Sequence, residues 1–280
     1  EICACLVGSE MCIRDRDCFL QISSNPPSLF SSKEQYQLDH TNRGKSKLIA
    51  QLSQTEQRKL TVDHMHLSVG MKFTSENEFP VLQPYNGDCN FKMCAYTNLK
   101  QSNGKDTALH FFLDDYKFCK IWDNLELITS KIQKFAYVFA PDYSLYVDAP
   151  SKQMNIQNVY RSRFIAAYWQ KCGLQVIPVA SWGNSNSLKY CFEGLPEKSI
   201  IAVCGIGHSF CQAADILWHH AVKLLIAQKQ PTRLIVYGGK YPDNISSLVP
   251  VTYIPDHITK NFRSNENTNS CIIEGRQEAV

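Results

Sequence analysis

The stretch "ALHFFLDD", Ala108–Asp115, sets a nearly unbroken apolar run against two consecutive carboxylates. Five more short runs share that texture. They are Phe135–Ala140 in "KIQKFAYVFAPD", which Pro141 stops, then "LQVIPVASW" (Leu174–Trp182) and "SIIAVCGIG" (Ser199–Gly207). "RLIVYGG" (Arg233–Gly239) and "VTYIP" (Val251–Pro255) follow. A half-exposed strand alternates apolar and polar residues. A continuous run of four to eight apolar residues reads as a strand covered on both faces. Helical patterns lie between the runs. "IQNVYRSRFIAAYWQKCG" puts Ile156, Tyr160, Phe164, Ala167 and Tyr168 on one side and ends on Lys171 and Gly173, a cationic last turn and a glycine stop. "DILWHHAVKLLIAQK", Asp215–Lys229, is a second such helix. Strand–helix alternation with short connections predicts an α/β fold with a mostly parallel sheet. A partial or closed (β/α) barrel is favoured over a doubly wound open sheet.

Composition sets wide bounds. The chain has 280 residues, 44% hydrophobic and 20% charged, which suits a globular α/β domain. A net charge of +3 neither requires nor excludes nucleic acid, because a dedicated binder concentrates its basic residues in a stripe. No apolar run nears the roughly 20 residues needed to span a bilayer, so no membrane association is expected. No secretory signal is visible either. The expected location is the cytoplasm of a bacterial cell.

"LVGSEMCIRDR", Leu6–Arg16, reads in frame as a translated sequencing adapter containing a transposase mosaic end. Residues 1–16 are therefore set aside as an artefact. This implies an assembled, metagenomic source and a true start that the sequence does not contain. Residues 17–75 are polar and weakly patterned, with Pro26–Pro27 blocking regular structure. Within them, Lys47–Leu60 predicts a short basic amphipathic helix. The α/β domain is expected over 76–258, and a disordered tail over 259–280. Of twelve cysteines, Cys3, Cys5 and Cys12 fall in the adapter. The others form no C-x-x-C pair, which disfavours a zinc ribbon or thioredoxin-like site. Cys204, inside an apolar run, reads as a small buried hydrophobe. Cys211 near His208 has the elements of a nucleophile and base but no visible third group.

Parallel α/β folds bind ligands at the carboxyl ends of their strands. The residues just past each run are Asp114 and Asp115; Asp142 and Tyr143; Ser181 and Trp182; Gly205, Gly207 and His208; and Gly238, Gly239 and Lys240. If the strands are parallel these groups converge on one rim. Asp114, Asp115 and Asp142 are the candidate catalytic residues. Tyr143, Arg161, Trp182, His208 and Lys240 are the candidate substrate contacts. Two carboxylates about 5–9 Å apart suit glycosidic hydrolysis. Two or three aspartates suit a divalent metal such as Mg²⁺ and phosphoester chemistry. "CGIGHSF", opening towards a helix, suits a phosphate cradle. Each feature has a plainer reading. Adjacent Asp114 and Asp115 point to opposite faces of a strand, and either one serves as a helix cap. Asp142 after a proline fits a turn. Arg161 and Arg163, two apart on a helix, diverge, with a solvated ion pair as the default for each.

Six motifs occur in an order that resembles a known family: "FPVLQPY", "ALHFFLDDYKFCKIWDN", "FAPDYSLYVDAP", "NVYRSRFIAAYWQKCGLQVIPVASW", "YCFEGLP" and "RLIVYGG". The family is domain of unknown function 4417, found in bacteria and their phages. The resemblance covers Phe79–Gly239. It implies a protein of bacteria, phages or other mobile elements and brings no activity, cofactor or catalytic residue with it. The family's motif elements here include Asp114, Asp115, Asp142, Tyr143, Arg161, Tyr168, Trp169 and Trp182. Three functions stay open. The first is an enzyme of hydrolase or phosphoester type working through the aspartates. The second is a nucleic-acid-binding module that stacks bases on Tyr143, Tyr146, Trp169 and Trp182. The third is an interaction protein without catalysis.

Overall fold

The computed structural model describes Ser53, Thr55, residues 63–206 and residues 211–256. The expected helix at Lys47–Leu60, apart from Ser53 and Thr55, and the expected tail beyond Lys260 lie outside the described residues. So does His208.

Eight strands carry the fold: β1 (Lys92–Ala95), β2 (Thr107–His110), β3 (Tyr137–Phe139), β4 (Val176–Ile177), β5 (Val179–Ala180), β6 (Ile200–Cys204), β7 (Arg233–Tyr237) and β8 (Val251–Ile254). Five α-helices intervene: α1 (Lys120–Asp123), α2 (Leu125–Ile132), α3 (Lys152–Lys171), α4 (Gln212–Lys229) and α5 (Asp243–Ser246). The strands form two four-stranded sheets, ordered β1-β2-β3-β4 and β5-β6-β7-β8. Every pairing between these strands is parallel. One residue separates the two sheets. Pro178 sits between β4 and β5 and has no N–H to give to a ladder, although its carbonyl accepts from Ala202 N–H at 2.8 Å. "LQVIPVASW" is thus one extended run serving two sheets.

The strand order follows the chain without the reversal that marks a doubly wound sheet. It also curls. The His110 ring, on β2, lies 4.9 Å from that of Tyr237, on β7, and Phe112 stacks on Tyr237 at 4.6 Å. On a flat sheet, strands four places apart are roughly 19 Å apart at about 4.8 Å per step. At the opposite end of the strands, Tyr85 N–H donates to Ser199 Oγ and Ile200 N–H to Tyr85 O. Thr232 Oγ1 donates to Asn86 Oδ1. The chain before β1 therefore crosses the feet of β6 and β7.

The central runs are buried on both faces, as their sequence predicts. All four residues of β2 are buried, and so are four of five in both β6 and β7. α3 differs from expectation. Ser162 to Trp169 are all buried, so its middle is enclosed all round and no single apolar stripe exists. Trp169 is fully buried, stacks on Phe111 at 5.5 Å, and donates its indole N–H to Thr129 Oγ1 at 3.0 Å. Ser151 caps the helix through Gln153 N–H, and Gly173 at φ 86° ends it. Among the described residues, no helix is long and apolar enough to cross a membrane.

Gly104 shows how tightly the β2 entry is held. Its φ is +82°, its carbonyl accepts from Ala136 N–H, and a Cβ there would stand 2.2 Å from Lys134 O. Gly104→Ala is expected to cost more than the roughly 1–2 kcal/mol of a left-handed alanine alone. Urea denaturation measures it. A loss well under 1 kcal/mol would contradict this close approach.

Candidate functional site

The chain after β2 turns sharply, with Leu113 N–H donating to Phe111 O at 2.8 Å. A short 3-10 helix, Asp115–Lys117, follows. The turn sends the two aspartates different ways. Asp114 is exposed and pairs with Lys117 at 2.7 Å. Asp115 reaches the loop after β3. Its carboxylate accepts from Ser144 N–H at 3.1 Å and Ser144 Oγ at 2.9 Å. Neither side chain makes a cap bond to the 3-10 helix.

That loop, residues 142–147, is fixed from a second side by α3. Asn155 is buried, accepts from Tyr146 N–H at 2.8 Å and donates to Tyr146 O at 2.8 Å. Asn158 donates to Ser144 O at 2.8 Å. The neighbouring loop after β5 is fastened to it in turn. Asn184 donates to Val147 O at 3.0 Å, and a Cβ on Gly183 would meet Leu145 O at 2.7 Å. Only glycine allows this approach of two backbones.

Between these loops and the start of α4 lies a cleft of about 740 Å³. It opens at the carboxyl ends of β2, β3, β5 and β6. Its walls are mostly apolar: Leu113, Val147, Trp182, Ile206, Leu217 and Trp218. The two indoles lie 6.4 Å apart, and Trp218 N–H is held by Cys204 O at 2.9 Å. The polar part of the lining is Asp142, Ser144 and Ser181, with Asp114 and Lys117 present as their ion pair.

Asp142 follows Pro141 at the β3 exit. Ser181 Oγ–H, from the β5 exit, donates to Asp142 Oδ1. By surface the residue is only half-buried, yet its carboxyl sits among protein atoms. Desolvation raises its pKa from 3.8 to about 7. The Ser181 bond opposes that rise, the Asp115 charge adds to it, and the Arg163 charge opposes it. Asp142 lines the cleft, and the Ser181 bond is its carboxyl's protein hydrogen bond among the described residues.

Arg163 corrects the expectation of a solvated ion pair. It is buried at 2% exposure and spends its donors on carbonyls: Nε to Glu193 O at 3.1 Å, Nη1 to Val179 O at 3.1 Å, Nη2 to Cys191 O at 2.7 Å. Burial lowers its pKa to about 10.

Of the residues expected at the site, Asp114, Asp142, Tyr143 and Trp182 line one cleft. Asp115 stands behind it, tying loops together. Arg161 is on another face of α3, with its guanidinium 5.4 Å from the Trp122 ring centre. Lys240 is exposed past β7 and is not part of the lining. Two proposed stacking aromatics are core residues: Trp169 has no exposed surface and Tyr143 is 3% exposed. Ser181, Cys204 and Trp218 are cleft residues that the expected set lacked. Ser181 carried a signal, a hydroxyl just past an apolar run. Trp218, inside a helix, carried none. Burial raises the Cys204 thiol pKa, with the Asp142 charge adding to it, which makes it a poor nucleophile. Among the described residues, no three His, Cys, Asp or Glu side chains come together as a metal-holding group. Asp114 and Asp115 diverge, so the three expected aspartates do not meet at one point.

A curled parallel α/β sheet with a half-apolar cleft at its carboxyl edge is the class this geometry defines. Residues 71–253 match the model of the family described as Domain of unknown function (DUF4417), and the chain belongs to that family. The "Gene 1 protein" of Mycobacterium phage D29 is 36% identical over 140 residues, 50% of this chain and 52% of that protein. The "Gene 1 protein" of Mycobacterium phage L5 is 33% identical over 180 residues, 63% of this chain and 77% of that protein. The chain thus spans about half the length of the D29 relative. No solved structure matches it.

The raised Asp142 pKa has a stability consequence of definite sign. Between pH 4 and about 7 the folded state holds a proton that the unfolded state has lost, so this group's contribution falls as pH rises through that window. Asp142→Asn removes the slope. The variant is expected to melt above the wild type at pH 8, with the gap closing towards pH 4. Calorimetry over that range checks it, and a variant less stable at pH 8 would contradict the dehydrated carboxyl.

Proposed function

We propose that this chain is an enzyme of hydrolase type in which Asp142 carries the proton. The supporting observation is its position: a dehydrated carboxyl on a residue that lines the cleft, with one oxygen held by Ser181. A general acid–base group works best when its pKa lies near the working pH. Burial and a neighbouring carboxylate are the ordinary means of bringing an aspartate there.

In this reading Asp142 protonates the leaving group as the scissile bond opens. It regains a proton from the attacking water, whose oxygen completes the product. Ser181 fixes the carboxyl rotamer and is a positioning residue. Asp115 positions the β3 loop through Ser144, and the ion-paired Asp114 contributes to the cleft's charge. Trp182 is assigned to the substrate wall, with the buried Tyr143 supporting the β3 loop behind it. The phosphoester variant is less favoured because Lys117, the cation in the cleft lining, is already paired with Asp114. The nucleic-acid reading keeps Tyr146 and Trp182 but loses the buried Trp169 and Tyr143 as stacking surfaces.

The test is a panel of chromogenic carboxylic esters, glycosides and phosphoesters, assayed with wild type and Asp142→Asn. At least one substrate class is expected to turn over. The variant should lose 100-fold or more in kcat, roughly what removal of a general acid–base group costs, while keeping the wild-type circular dichroism. Equal rates in both proteins on every substrate turned over would remove Asp142 from the mechanism. No turnover at all would favour a binding module.

A further inference from the structure

The cleft's lining narrows what it can hold. Saccharides carry many hydroxyls and require many polar partners. Here the walls are mostly two indoles and aliphatic side chains; the polar groups are Asp142 with Ser181, Ser144, and the mutually paired Asp114 and Lys117. A polyanion is also a poor fit. Lys117 is committed to Asp114, and Asp142 has Asp115 as a near charge. A planar, uncharged ring matches the walls, since aromatic faces pack on indoles with little conformational cost.

The polar end then selects the ring's edge. Asp142 Oδ1 already accepts from Ser181, which leaves a second lone pair there and the whole of Oδ2 for a ligand. A neutral carboxyl offers one acceptor and one O–H donor side by side. The complementary edge is a ring nitrogen that accepts next to an exocyclic amino group that donates. We infer that the cleft binds a nucleobase of the aminopyrimidine type, adenine or cytosine, with its amidine edge on Asp142 and its face along Trp182. The inference rests on the cleft being the working site, and it names the chemical class of ligand for it.

The proposal has a pH signature. The titratable and charged groups facing Asp142 are Asp115 from the β2 exit, Arg163 from α3 and Cys204 from β6. Arg163 stays charged and Cys204 neutral over the working range. Raising pH therefore acts on the carboxyl, removing the O–H that the ring nitrogen needs.

Adenine and cytosine are titrated into full-length protein by calorimetry between about pH 6 and pH 8.5, where neither base changes charge. 1-Methylindole, planar but without the edge, is the control. Both bases are expected to bind and 1-methylindole to bind at least tenfold more weakly, about the worth of one well-made hydrogen bond pair. Wild-type affinity should fall about thirtyfold from pH 6 to pH 8.5 as the carboxyl ionises. Asp142→Asn presents an acceptor and a donor permanently. It should bind within about threefold of the pH 6 wild type at every pH, as asparagine does with adenine edges. Asp142→Leu should lose binding. Should the leucine variant not fold, the contrast between the wild-type slope and the flat asparagine profile decides alone.

Bases that do not bind at any pH, or an affinity that ignores both pH and the edge, overturn the inference. The hydrolase reading fails separately. Base binding without turnover of any substrate sinks catalysis and leaves the ligand class standing, whereas turnover lost in Asp142→Asn with bases ignored does the reverse.

Discussion

A guanidinium shut away from water has to find protein partners for its donors, and Arg163 finds them on three carbonyls from two other parts of the chain. Val179 O belongs to β5; Cys191 O and Glu193 O belong to the turns that follow it. One side chain thereby fixes α3 against β5 and against the 191–194 segment. Gly194, at φ 76°, keeps that segment close: a Cβ there would stand 2.6 Å from Pro80 O and 3.4 Å from Arg163 Cδ. Removing Arg163 leaves three carbonyls without these donors, at about 1–3 kcal/mol for each buried group left unsatisfied. The same charge opposes the desolvation of Asp142, one strand exit away. Scaffold and site share one residue.

The cleft is preorganised by backbone fastening. Asp115, Asn155, Asn158 and Asn184 each spend a side chain on loop backbone. Groups that must hold a proton at a set place gain from such rigid support. Two expected catalytic aspartates thus part company. Asp142 meets the cleft, while Asp115 holds the loop that delivers it. The sharp turn after β2 and the 3-10 helix that starts at Asp115 explain why adjacent Asp114 and Asp115 do different work.

Much of the fold was legible because central parallel strands leave an unbroken apolar signature. β3, β6 and β7 fall within the runs that announced them, "VTYIP" contains β8, and β2, Thr107–His110, overlaps only the start of its run because the chain turns after it. β1 did not announce itself. Lys92–Ala95 is an edge strand with one buried residue in four, so it has no continuous apolar run to find. α1 and α2 were missed for a related reason, being short helices of four and eight residues without strong caps. Strand exits located the cleft, and Asp142 with it. The sequence could not separate Arg161 from Arg163. Both lie mid-helix two residues apart, and only packing decides that one stacks on Trp122 while the other is buried. Trp218 was equally hidden, since a tryptophan within a helix looks the same whether it faces a core or a cleft.

Asp142 is the point where these features meet: a parallel strand exit, a dehydrated wall, a serine clamp and an opposing buried arginine. Its ionisation is directly observable by carboxyl-carbon NMR on protein labelled at aspartate, with Asp142→Asn assigning the resonance. A midpoint near 7 is the predicted result. A midpoint near the ordinary aspartate value of about 3.9 would show a carboxyl in contact with water, and the cleft would lose its proton carrier.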